Sequence, residues 1–238
     1  MTDQVSAEQS ASSLPLSWQK LLALSGVAFA ILFLVGWFAS GGDAPDYGAS
    51  DQDWTNWADD NQWKSRIGAF SMLLAGLVFL HFAATIRTAL GDAQAKVGAS
   101  VQLARVAFAG AITGIAGMVM AIVIISSATT EGPDANPVVT RAIASSSAGP
   151  FLLSAMGFAA LLLAAGLLTL RTGVFPRWTG VVALIGAAGF LIAFAAVLSG
   201  LGEDSLFGFG FFPGVLALVI WSIATSMGRY RGLSTVPS

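Results

Sequence analysis

Six times along the chain the sequence runs for about twenty residues almost without charge, long enough as a helix to cross a hydrocarbon layer about 30 Å thick. The runs fall at 21–39, 67–86, 101–126, 151–170, 178–199 and 207–227. In hydrocarbon every backbone N–H and C=O must be satisfied within the protein, and runs of this length do so as helices. The expected fold is therefore all-α: a polytopic membrane helix bundle with six transmembrane helices. Of 238 residues only 10% are charged and 55% are hydrophobic, too few charges to cover a water-soluble surface. The formal charge of -2 offers no basic face, so nucleic acid is not expected as a partner. The absence of cysteine removes disulfides, thiolate nucleophiles, iron–sulfur clusters and cysteine zinc sites together.

Orientation follows from the Lys and Arg residues near the span ends, because cytoplasmic loops carry the excess. With the N-terminus inside, Lys20, Arg87, Lys96, Arg105, Arg171, Arg177, Arg229 and Arg231 lie inside, against Lys64, Arg66 and Arg141 outside. Most acids, among them Asp43, Asp46, Asp51, Asp53, Asp59, Asp60, Glu131 and Asp134, fall outside. The expectation is a multi-pass protein of the plasma (inner) membrane with both termini cytoplasmic. Residues 1–16 read as a disordered cytoplasmic tail, 17–228 as the six-span domain and 229–238 as a second cytoplasmic tail. The first span follows an acidic leader and is longer than a signal-peptide core, which predicts an uncleaved anchor. Trp18, Trp178 and Trp221 are expected in the inner interfacial belt, and Trp37 and Trp63 in the outer one.

Between the first two spans, "SDQDWTNWADDNQWKSR" (50–66) is both apolar and acidic. At 100° per residue Trp54, Trp57, Ala58 and Asn61 share one face while Asp53, Asn56 and Asp60 take the other. Ser50 with Asp53 three residues on makes a capping box. The spacing predicts a short extracytoplasmic interfacial helix ending near Asp60 or Asn61, with Trp54, Trp57 and Trp63 interfacial. Beyond the third span, Asn136 and Pro137 form an N-cap and first-turn pair. The following segment is expected to run as one helix into the fourth span with a kink at Pro150, or else to break at Gly149. In "LRTGVFPRW" (170–178), Gly173 suits a left-handed C-cap and Pro176 starts the next helix.

With "GGDAPDYGASDQDW" after a first span, a short outer helix and the "LRTGVFPRW" turn, the chain resembles the uncharacterised multi-pass membrane proteins common in actinobacterial genomes and grouped as domains of unknown function. The resemblance covers most of the chain. It implies a six-span helical fold and supplies no catalytic or binding residue.

Few side chains invite chemistry. His81, the only histidine, lies inside the second span, where an ionisable group is a functional candidate by default. A single histidine cannot furnish a bis-histidine haem, and a hydrogen-bonded or snorkelling imidazole is the expectation. The acids at 51–62 do not match a calcium loop, and "SWQK" (17–20) lacks the partner motifs of a Ser-Lys nucleophile. "GFGFFPG" (208–214) is the most unusual backbone: Gly208, Gly210 and Pro213 either interrupt the sixth span, as in some transporters, or pack it closely against a neighbour. "GAITGIAG" (110–117) reads as a small-residue helix contact.

No catalytic residue, metal site or cofactor is expected. The spans lack the buried carboxylates of ion relays, which favours a non-enzymatic accessory, assembly or scaffold subunit of a membrane complex. Its partners would be the lipid bilayer and either other membrane subunits or copies of itself. The alternative is a small-solute or lipid transporter with a broken sixth helix.

Overall fold

The structure, a computed structural model, describes residues 16–40, 44–98, 102–130, 136–198 and 206–234. Among these residues the regular elements are all helical: α1 (Leu16–Ala23), α2 (Ser25–Ser40), α3 (Asp51–Asp60), α4 (Gln62–Lys96), α5 (Gln102–Ser127), α6 (Pro137–Ser145), α7 (Ala148–Thr172), α8 (Arg177–Ala195) and α9 (Leu206–Ser234). Five stretches are long and apolar enough to cross a membrane, and α2 is a shorter apolar helix preceded by α1. The crossings run alternately up and down. Both described ends of the chain, the start of α1 and the end of α9, meet at what we call the terminal end. Helices α3 and α6 cover the opposite, cap end. Most of the expected tail 1–16 lies outside the described residues, whereas the expected second tail is partly helical, since α9 continues to Ser234.

In lipid there is no hydrophobic gain from pairing one apolar helix with another, so close backbone packing has to hold the bundle. Small residues supply it. A methyl group built on Gly110 would lie 2.7 Å from the carbonyl oxygen of Gly157, and one on Gly117 would lie 2.7 Å from that of Pro150. The small face at 110–117 therefore seats α5 against α7, as the sequence predicts. Helix α8 meets α9 the same way: a methyl on Gly189 would lie 2.8 Å from the carbonyl oxygen of Gly210. Helix α2 is tied to α4 by Ser71, whose hydroxyl donates to the Leu32 carbonyl at 3.0 Å.

Between the small-residue seams the bundle is filled by aromatic rings. Phe29, Phe33, Trp37, Phe211, Phe190, Phe158 and Phe79 form a closed circuit, each ring in contact with the next at centroid separations of 4.4 to 6.4 Å. Offset and edge-on pairs of this kind stabilise beyond simple contact area. The circuit draws on α2, α4, α7, α8 and α9, so it is the common core of five helices. The buried polar side chains among the described residues are Ser, Thr, Asn61 and Gln94, with no acid or base.

The cap follows from its local sequence. Ser50 Oγ accepts from the Asp53 N–H at 3.2 Å while the Asp53 carboxylate accepts from the Ser50 N–H at 3.2 Å, completing the capping box. Asn136 Oδ1 accepts from the Val138 N–H at 3.0 Å and starts α6. Arg141 on α6 pairs with Asp51 on α3 at 3.0 Å. The segment runs from Pro137 into the fourth span as one apolar stretch to Thr172, interrupted by a turn at Ser146 and Ser147, so two helices are present as in the second expectation but the break falls just before Gly149. Pro150 stands in the first turn of α7, where its missing N–H leaves no gap in the ladder. At the terminal end Gly173 takes φ +67 and its N–H bonds the Thr169 carbonyl at 2.9 Å, the left-handed cap expected there.

Candidate functional site: a polar seam at the break in the first crossing

The crossing that is interrupted is the first. Helix α1 stops at Ala23, Leu24 forms a turn, and α2 restarts at Ser25. The local cause is the adjacent pair Ser25–Gly26, since Gly/Ser pairs are among the few sequences that bend a helix sharply. The Gly26 N–H leaves the helical ladder and donates to Ser226 Oγ of α9 at 3.0 Å, which satisfies a backbone donor that lipid could not. No side chain larger than hydrogen fits at 26: a methyl there would lie 2.6 Å from the Ser222 carbonyl oxygen and 2.7 Å from the Phe82 ring.

Facing this break, α9 presents Trp221, Ser222, Thr225, Ser226 and Arg229 at spacings that share one side of a helix. Ser222, Thr225, Ser226 and Trp221 are buried. Thr225 returns its hydroxyl proton to the Trp221 carbonyl at 2.8 Å. Arg229 Nη1 donates to the Thr85 carbonyl of α4 at 3.3 Å. Ser25 Oγ, Ser222 Oγ and Trp221 Nε1 are buried without a hydrogen-bond partner among the described residues. Arg229 Nε on the same seam is likewise buried without a partner, and unpaired polar atoms are costly, so four of them on one seam mark it as a candidate site, although single ones occur elsewhere at Trp54, Ser65, Thr140 and Thr169. Trp221 is therefore not in the interfacial belt; it lies inside the bundle with its indole edge-on to Phe82 at 5.6 Å. The belt assignment fails because the Trp221 indole is enclosed by protein and presents no surface to a headgroup layer.

Chemically the seam offers hydroxyls, an indole N–H and the Arg229 guanidinium, and among the described residues no carboxylate or imidazole is hydrogen-bonded to any of them. His81 lies nearby. It is exposed on the bundle surface, where it lines an apolar groove of about 490 Å³ with Leu21, Leu24, Ser25 and Leu77. Its backbone carbonyl accepts from the Thr85 hydroxyl at 2.9 Å, and its imidazole has no hydrogen-bond partner among the described residues. Of the two expectations for His81, the hydrogen bond to a neighbouring helix is not made among the described residues, and its exposed position is compatible with the other, a snorkelling ring.

The other sequence candidates lie elsewhere. Gly208, Gly210 and Pro213 are near the cap end of α9, and the structure does not bring them to His81. Helix α9 runs unbroken through Pro213. Gly210 packs against Gly189 and Ala193 of α8, and Gly208 faces open space. The glycine–phenylalanine alternation is therefore a packing device. Trp54 and Trp57 are 1% and 8% exposed and turned into the protein, with Trp54 edge-on to Trp57 at 5.7 Å, whereas Trp63 is 71% exposed at the start of α4. Two of the three expected interfacial tryptophans thus anchor the cap to the bundle. The seam itself was missed by sequence reasoning. The available signal was Ser25–Gly26 within an apolar run together with the Ser/Thr stripe at 222, 225 and 226.

A family model described as a domain of unknown function (DUF4386) matches residues 24–225, and the chain belongs to that family. Its residues span the first crossing from the break onward to the Ser/Thr stripe of α9. Neither a curated protein nor a solved structure matches the chain.

Proposed function

We propose that this member of the DUF4386 family is a non-catalytic plasma-membrane protein that accompanies or assembles with other membrane subunits, or with copies of itself. The observation that carries the reading is the closed aromatic circuit through Phe29, Trp37, Phe158 and Phe211; among the described residues no acid or base is wholly buried, and the half-buried Arg229 lies toward the terminal end of α9. Proton and ion relays are built from buried ionisable groups, and solute pathways from polar cavities at mid-depth. A core of interlocked rings supports neither and suits a rigid structural part. Taking α1 and α2 together as one crossing gives six spans of the kind common in actinobacterial membrane proteins. An even number places both termini on one side, and the excess of Lys and Arg there favours the cytoplasm. A second reading, a small-solute or lipid transporter, draws on the interrupted first crossing, since discontinuous helices often border binding sites.

Extraction of the protein from its native membrane in polymer-bounded discs, followed by mass measurement, tests the proposal. The expected result is a complex of fixed stoichiometry with another membrane subunit or with itself. A lone protomer that also supports saturable solute uptake when reconstituted in vesicles would overturn it. Reporters fused at Ser238 and near Gly48 test the orientation: the first should work only in the cytoplasm and the second only outside.

A further inference from the structure

Helix α4 is 35 residues long, and at 1.5 Å per residue its Arg87 lies roughly 36 Å along the axis from Trp63. That distance carries Arg87 across the hydrocarbon layer to the opposite headgroup level, and the last two turns of α4 stand beyond it. There α4 and the start of α5 enclose a groove of about 440 Å³. Its floor is small, with Gly91 and Ala104, and a methyl on Gly91 would touch nothing within 4 Å. Gln94 Oε1 accepts the Ala104 N–H at 3.0 Å and fixes the two walls against each other. The walls carry Arg87, Thr88 and Asp92 from α4 and Arg105 from α5. Arg87 is held over the Phe108 ring at 5.1 Å, which steadies the guanidinium and leaves its N–H edge free. Among the described residues, Asp92 and Arg105 have neither a hydrogen bond nor a salt bridge. On its other flank Asp92 borders a hollow that holds Lys96 and Arg229; Arg229 feels the Asp92 charge without forming a salt bridge to it, so the carboxylate keeps its hydrogen-bonding capacity.

Two guanidiniums and one carboxylate, none of them in a salt bridge among the described residues and all lining one groove at headgroup depth, define the charge pattern of an occupant. We infer that the groove binds the headgroup of an aminophospholipid: the phosphodiester bridges Arg87 and Arg105, and the primary ammonium sits on Asp92. Guanidinium forks match phosphate oxygens in bidentate fashion, which gives the phosphate its place. The carboxylate then selects among phospholipids, because it accepts hydrogen bonds from an ammonium and has nothing to accept from a quaternary choline. The acyl chains follow the apolar flank of α4 and α5 toward the membrane centre. This inference is independent of the proposed assembly role.

The test uses the full chain in detergent, exchanged with phosphatidylethanolamine, phosphatidylglycerol or phosphatidylcholine, with retained lipid counted by native mass spectrometry. Ethanolamine lipid should be retained best and choline lipid least. Asp92→Asn should reduce ethanolamine retention to the choline level while sparing glycerol lipid. Arg105→Gln should lower retention of all three by about tenfold, the loss of a charge-assisted hydrogen bond. Both side chains are exposed and neither forms a salt bridge, and a thermal melt of each variant equal to that of the parent separates lost lipid retention from lost fold. Glycerophosphoethanolamine, the headgroup without chains, should displace the lipid only in large excess; displacement at equal concentration would mean that a soluble phosphate ester is the ligand and would contradict the lipid assignment. Equal retention of ethanolamine and choline lipids, preferred retention of glycerol lipid, or no effect of either variant would overturn the inference.

Discussion

Gly26 and Ser226, two hundred residues apart, are joined by a 3.0 Å hydrogen bond from the backbone N–H of one to the hydroxyl of the other. The bond closes the bundle, because it ties the first crossing at its break to the last crossing at its polar stripe. Gly26→Val should destabilise the detergent-solubilised protein by about 1 to 3 kcal/mol through overpacking. Ser226→Ala should cost about 1 kcal/mol through the orphaned N–H. Thermal melts of the two variants measure this, and unchanged melting for both would show that the break is held by something else.

The α8–α9 crossing separates two glycines that look alike in sequence. Gly189→Leu forces α8 off the Gly210 backbone and should lower the melting temperature by several degrees, whereas Gly208→Leu, facing open space, should change it little. Comparable losses at both positions would mean that the start of α9 is packed differently.

At the cap, two contacts of different kinds hold α3. The Asp51–Arg141 pair has side chains 38% exposed, so Asp51→Asn should cost no more than about 1 kcal/mol. Trp54 is fully enclosed, so Trp54→Ala should cost about 3 to 5 kcal/mol. Chemical unfolding followed by the fluorescence of the remaining tryptophans ranks the two, and a larger loss for Asp51→Asn would reverse this account of the cap.

Tyr47 gives the cap a signature in alkali. Burial pushes its phenol above the usual tyrosine value, Asp46 adds to the rise, and the hydrogen bond with Ser147 at 3.0 Å opposes it. A group whose value is raised on folding stabilises the fold fully below its unfolded value of about 10, and that contribution fades as the pH rises through the folded value. The cap should therefore loosen only above about pH 10, and Tyr47→Phe should remove that dependence. The chain has two tyrosines, so in a Tyr230→Phe background ultraviolet titration reads Tyr47 alone. A midpoint at or below that of a free tyrosine would contradict its burial.

Much of this was legible in the sequence for physical reasons. Apolar runs of membrane length can only be helices, and the caps at Ser50, Asn136 and Gly173 are local devices whose residues lie within one turn of the groups they satisfy. The face of α3 was legible too, because periodicity reveals which side is apolar. What covers that side was not, since lipid and protein interiors are equally apolar; hence Trp54 and Trp57 are enclosed by the bundle. The break at Ser25 escaped notice because a single Ser–Gly pair barely lowers hydropathy and its partner, Ser226, is distant in sequence. Gly210 and Pro213 suggested a broken helix only because the matching Gly189 lies on another span.

The proposal of a closed, aromatic-filled bundle centre is tested most directly by reactivity. The chain has no cysteine, so single cysteines at Ala75, Ala155 and Ala187, each buried in the core, report on access without background. In native membranes all three should resist small water-soluble thiol reagents applied from either side, while a control at exposed Asp59 reacts. Labelling of any buried position from one or both sides would reveal an aqueous path through the bundle and contradict a closed structural role in favour of transport.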